Sequence, residues 1–209
     1  MPVVLLGLLW VGLTCTNLPA GDGSSLATAQ ELLASASERA FARLAPKDAS
    51  SPRVAVSFPT EVGPALRALR ATGRGGRVVA LEAAVEQTAR LALEDVRPAL
   101  EEAVEGFAPV DPEALVTGAD DALSSAFRAA VEPDFRARLA AAAAQRLEGS
   151  GAAAALEGVR NGASRLPLPR DVDLDLVAVV ADHATSSFFI ALSDAERQVR
   201  EERLAVHNE

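Results

Sequence analysis

Apolar residues recur at steps of three and four along this chain, which is the signature of one face of an α-helix. The last of these stripes, over Val172 to Leu204, carries Leu174, Val177, Ala181, Ala184, Phe188, Ala195 and Val199. Another runs from Arg77 to Phe107 through Val78, Leu81, Val85, Ala89, Ala92, Val96 and Leu100. A first helix is predicted over Ser25 to Leu44, a short one from Thr60 to about Ala71 with Thr60 as its cap, and a long one from Asp120 to about Glu148. An Ala-rich helix ending near Gly162 follows the break Gly149-Ser150-Gly151. Ala, Leu, Glu and Arg, the commonest formers of helix, fill these segments. Pro98 and Pro133 fall inside two of the patterns, so a kink or a division into two helices is expected at Pro98 and a kink at Pro133. Val54-Ala55-Val56-Ser57-Phe58-Pro59 is too short for a helix and reads as an extended piece packed on the core. The fold class expected is all-α: a single-domain, irregular helical bundle with a long C-terminal helix.

Composition limits what such a bundle can do. The chain has 209 residues, enough for one domain, or for one domain plus a targeting segment. One Cys excludes an internal disulfide framework and a Cys-based zinc cluster, and two His leave little for an imidazole metal site. Twenty Lys and Arg stand against 29 Asp and Glu, a net charge of −9, so the global basic footprint of a nucleic-acid binder is missing.

The start of the chain has a different character. No charged side chain occurs before Asp22, and Val3 to Leu13 is an apolar run with two Gly as interruptions. That length fits a secretory h-region better than a membrane span. Residues 1–22 are therefore expected to be an export signal and residues 23–209 the single helical domain. Two readings of its end stay open. Leu18-Pro19-Ala20 reads as a cleavage site, whereas Gly12-Leu13-Thr14-Cys15 loosely resembles a bacterial lipobox, which would make Cys15 a lipidation site.

Little in the chain points to chemistry. There is no Gly-x-Ser-x-Gly elbow and no Ser-x-x-Lys, so no catalytic residue is assigned. His183 lies off the apolar stripe beside Asp182 and reads as an exposed surface histidine. Asp173 and Asp175 read as acids favoured at a positive helix end, and no metal or cofactor site is expected. One segment has the makings of an anion site. In Arg67 to Arg77, four Arg and three Gly precede a helix, with Arg70, Arg74 and Arg77 as candidate ligands of a phosphate or carboxylate. The alternative is a Gly helix terminus with solvated arginines. Thr117-Gly118-Ala119-Asp120-Asp121 is expected to start a helix, with Thr117 or Asp120 as the cap.

Four stretches together resemble a bacterial family known as domain of unknown function 4197. They are Val54 to Pro59 with the helix and Gly-bearing turn to Gly76; Leu81-Glu82 through Pro98; Leu115 to Ala122 with Phe127-Arg128; and Val172-Asp173-Leu174-Asp175 with Phe188-Phe189 and Glu196-Arg197-Gln198-Val199-Arg200. Ala119 stands where the family usually has a second Gly, and Ala126 where it has an aromatic residue. The resemblance implies an all-helical, commonly exported protein and no activity.

The function expected is therefore that of an exported, non-enzymatic helical protein. It would sit in the periplasm or as a membrane-anchored lipoprotein of a bacterial envelope. Its partner would be an unidentified protein or envelope component, with no nucleic acid and with contact to the membrane only through a lipid anchor. The alternative is a helical module that binds a small anionic or apolar ligand.

Overall fold

The structure is a computed structural model that describes residues 23–44, 55–166 and 172–207. Cys15 and the proposed signal lie outside the described residues, as does Val54. Helices make up 81% of what is described, with no strand among these residues. They are α1 (Gly23–Leu44), α2 (Gly63–Ala71), α3 (Gly75–Glu105), α4 (Pro112–Thr117), α5 (Ala122–Leu147), α6 (Ala152–Ala163) and α7 (Leu176–His207).

The four long helices α1, α3, α5 and α7 form the body. Helix α7 runs antiparallel to both α1 and α5: Arg39 of α1 pairs with Glu202 of α7 while Phe41 meets Phe188, and Arg136 of α5 pairs with Asp182 while Arg197 of α7 meets Asp121. Helix α3 runs against α5 in the same manner, with Asp95 held by Arg146. Short α2 and α6 pack on α3 and on each other, and α4 packs on α1 and α5. The stripes read from the sequence are buried, apart from Val177 and Phe107, which are only partly so. Val78, Leu81, Val85, Ala89, Ala92, Val96 and Leu100 of α3 and Ala181, Ala184, Phe188, Ala195 and Val199 of α7 all lie in one core. Phe41, Phe135, Phe188 and Phe189 meet at its centre with ring centroids 5.2–5.7 Å apart. Residues 55–59 are extended and unpaired, with Val56 and Phe58 laid on the core as expected.

Neither proline divides its helix. Pro98 and Pro133 sit on the water-facing sides of α3 and α5, where the carbonyl left without its amide donor can be hydrated. Helix α4 was hidden by its proline: Pro112 occupies its first turn, where a missing N–H costs nothing, and Asp111 caps it by accepting from the Ala114 amide at 2.9 Å. At α2 the expected cap is corrected. Val62 is the N-cap residue, and the Thr60 hydroxyl meets its neighbour Glu61 instead. Helix α7 starts later than the spacing suggested, at Leu176, because Asp175 accepts from the Ala178 amide and ends the extended approach of Val172 to Asp175.

Helix α7 is the one helix among the described residues long and apolar enough to cross a membrane, with a mean hydropathy of 1.5 over its richest window. That window is 61% buried inside the protein, under α1, α3 and α5, as the central helix of a bundle would be.

Candidate functional site

The start of α5 is where the fold departs most from local rules. An α-helix leaves its first amides without partners, and a side chain just before it usually accepts from them. Here neither Thr117 nor Asp120 does so, which corrects the expected cap. The Thr117 hydroxyl instead donates back to the Glu113 carbonyl in the last turn of α4. Asp121 takes the N-cap position without a side-chain capping bond. The missing acceptor comes from a helix more than seventy residues away in sequence. The Glu196 carboxylate accepts from the Leu123 amide at 3.2 Å and from the Ser124 amide at 2.7 Å.

Glu196 is 1% exposed, and a bare carboxylate there would carry a large desolvation cost. Arg200, one turn later on α7, balances it with Nε and Nη2 at 2.9 and 2.6 Å from Oε1. The remaining guanidinium donors reach the end of α4. Nη1 bonds the Val116 carbonyl at 2.6 Å, and Nη2 also reaches that of Leu115 at 2.8 Å. A single buried ion pair thus satisfies the last carbonyls of α4 and the first amides of α5, with charges of the sign each helix end favours. The turn between them is tight. A Cβ on Gly118 would lie 2.6 Å from the Ala114 carbonyl oxygen, so only glycine fits.

The two stretches that carried the resemblance at Leu115–Ala122 and Glu196–Arg200 are therefore in contact. The signal for Glu196 was present in the sequence. It lies eight residues after Phe188 and four after Leu192, on the apolar stripe itself, and a charge on such a stripe must be paired.

Two hollows flank α5. Between α5 and α7 lies a cleft of about 250 Å³ whose lining includes Asp121, Ser125, Arg128, Phe189, Ile190 and Arg197. Its arginines are held in place. Arg197 donates to Asp194 at 2.8 Å and to Ser193 at 3.2 Å and stands 3.6 Å from Asp121. Arg128 forks onto Glu132 with two bonds of 2.9 Å and lies over the Phe189 ring. That fork holds the Glu132 carboxyl below the usual carboxylate range and raises Arg128. Ile190 remains 48% exposed at this cleft. On the other side of α5, a groove of about 280 Å³ opens toward α3, with Leu100, Ala103, Val131 and Phe135 among its lining.

The three arginines of the candidate anion site are distributed among different partners. Arg70 pairs with Glu82, while Arg77 donates to the Gly158 carbonyl at 2.6 Å and Arg74 to the Gly162 carbonyl at 3.4 Å. The Gly-rich turn thus fastens the start of α3 to α6. His183 requires a correction: it is only 7% exposed, turned inward on α7, and burial holds its pKa below the ordinary value near 6.5 while Glu86 works in the opposite direction. Asp173 is fully exposed 3.9 Å from Arg160, and Asp175 is the cap of α7. Among the described residues no group of three or more His, Cys, Asp or Glu is gathered so that it could hold a metal ion.

The profile of DUF4197, described as a protein of unknown function, matches residues 22–209, and the chain belongs to that family. Neither a curated protein nor a solved structure matches it.

Proposed function

We propose that this is an exported helical protein that works by binding a partner protein or envelope component, without catalysing a reaction. The observation that carries the reading is the exposure of α5. One long helix borders two open hollows, and Ile190 stands half-exposed across one of them. The α3/α5 groove has an apolar floor and a charged rim, and the α5/α7 cleft a charged lining beside Phe189 and Ile190, which suits the anchoring side chains of a partner. The buried charges support the non-catalytic part, because Glu196 and Arg200 have their hydrogen-bonding groups turned onto helix ends. Export is supported by the uncharged apolar run Val3–Leu13, with the lipid anchor at Cys15 as its second form.

A photo-crosslinking residue at Ser125, beside the α5/α7 cleft, tests the binding reading in the native cell. A discrete adduct from Ser125, absent from the same probe at Glu157 on α6, is expected. Equal labelling at both positions, or none at Ser125, refutes it. Fractionation tests export: protein that stays in the cytoplasm with Met1 intact refutes it. If the anchor is present, Cys15→Ser releases the protein from membranes.

A further inference from the structure

The groove between α3 and α5 is lined by acids without partners among the described residues, although acids close beside it on the same two helices are paired. Along α3, Glu101 is paired with Arg97 at 2.7 Å, and along α5, Glu132 is paired with Arg128. Asp95 and Arg146 close the space between the same two helices further along. The acids that line the groove itself are Glu102 on the α3 wall and Asp134 on the α5 wall. Both are exposed, and among the described residues neither carboxylate has an ion-pair or hydrogen-bond partner. Between them the floor is apolar, formed by Leu100, Ala103, Val131 and Phe135.

We propose that this groove receives a cationic, amphipathic segment of the partner protein, with an aliphatic side chain on the floor and a Lys or Arg between Glu102 and Asp134. The proposal rests on the partner-binding reading above and assigns it a place and a chemistry. An aliphatic anchor is favoured because the floor gains nothing from a polar one. A cation is favoured because the groove carries an acid on each wall, Glu102 and Asp134, against the single Arg138, and a negatively charged occupant would be repelled. Arg138 lines the same groove one turn beyond Asp134, and among the described residues its guanidinium has no ion-pair partner. It offers its fork to a carbonyl or carboxylate of the occupant, which fixes the direction in which the segment lies. The net charge of −9 draws a cationic segment toward the protein from outside contact range.

The test uses the full chain and a fluorescein-labelled amphipathic peptide, three helical turns long, with Leu on one face and Lys beside it. Its twin has Glu at every Lys position. Saturable binding of the cationic peptide is expected, with the twin at least about tenfold weaker. Glu102→Lys with Asp134→Lys should weaken binding about tenfold or more, whereas Glu61→Lys with Glu113→Lys, which changes net charge equally elsewhere, should leave it within about twofold. Ala130→Trp, at an exposed groove position, fills the space without altering charge and should weaken binding to a similar extent. Circular dichroism checks that each variant is folded, and Ala130→Trp decides the matter if the charge variant is not.

No saturable binding, equal loss in both charge pairs, or full binding by Ala130→Trp overturns the proposal. So does self-association of the parent that the groove variant abolishes, because the occupant is then a second copy. The two readings fail separately. A discrete Ser125 adduct with no groove binding keeps the partner and removes the groove, whereas loss of the Ser125 adduct removes the partner reading whatever the peptide does.

Discussion

The Glu196 carboxylate lies 2.7 Å from the Ser124 amide and caps α5 from across the bundle. Capping from the adjacent loop stabilises one helix. Capping from α7 makes the start of α5 depend on the assembled tertiary structure, so secondary structure and packing here form as a unit. Removing the carboxylate leaves buried amides without acceptors and Arg200 without its counter-charge. Glu196→Ala should cost about 3–5 kcal/mol, the range for breaking a buried ion pair. Arg200→Ala should cost a comparable amount, and the double variant clearly less than the sum, because one loss already strands the other group. Urea unfolding of the three variants gives the coupling directly. Additive losses would mean that the two side chains act independently.

The helical fold was legible because periodicity and burial agree: the stripes on α3 and α7 name the residues that pack. The junction of α4 and α5 was not, for a physical reason. Thr117, Asp120 and Asp121 have the chemistry of a cap, and local chemistry is all that a short window contains. Which acid accepts from the first amides is decided by the antiparallel docking of α7, and that depends on the whole bundle. His183 misled in the opposite direction. The neighbouring Asp182 is exposed and paired with Arg136, but a helix turns about 100° between successive residues, and the histidine faces inward.

Capping variants separate the two accounts of the junction. Asp111→Ala and Asp175→Ala remove observed capping bonds of α4 and α7 and should each cost about 0.5–2 kcal/mol. Thr117→Ala and Asp120→Ala remove exposed side chains that cap nothing at α5 and should stay within about 0.5 kcal/mol of the parent. Thermal or urea unfolding of the four variants decides. A large loss in Thr117→Ala or Asp120→Ala would restore the local cap.

His183 should make stability depend on pH in the mildly acidic range. Its pKa in the folded protein is lowered by burial, so the unfolded chain binds a proton first as pH falls. Stability is therefore fully present above about pH 6.5 and declines from there toward the folded pKa, below which both states are protonated. Glu86 on α3 opposes the shift and limits the loss. The paired carboxylates Asp95, Glu132 and Glu202 also have lowered values, but their contribution is lost only as pH falls below the ordinary carboxylate range. Unfolding measured at pH 7.5 and at pH 5.5 should show the decline in the parent and a flatter profile in His183→Gln. An unchanged slope in that variant would assign the effect to other groups.

Two glycines of α6 should respond in opposite directions to the same substitution. Both lie inside the helix, where glycine is a poor choice unless something requires it. At Gly162 the requirement is visible. A Cβ there would stand 2.8 Å from Leu69 Cδ2 and 3.2 Å from Arg77 Cδ. Leu69 is completely buried and cannot swing into water, so it would have to push into the core or force α6 off α2 and α3. Gly162→Ala should therefore cost about 1–3 kcal/mol by overpacking. At Gly158 the nearest atom to an added Cβ is the Arg77 guanidinium at 4.0 Å, an ordinary contact. Gly158→Ala should add about 0.5–1 kcal/mol, because alanine restricts the unfolded chain and favours helix. The Arg77 bond to the Gly158 carbonyl uses backbone and survives the change. Urea midpoints that move apart support this packing of α6. A stabilising Gly162→Ala would mean that α6 does not lie against Leu69 in solution.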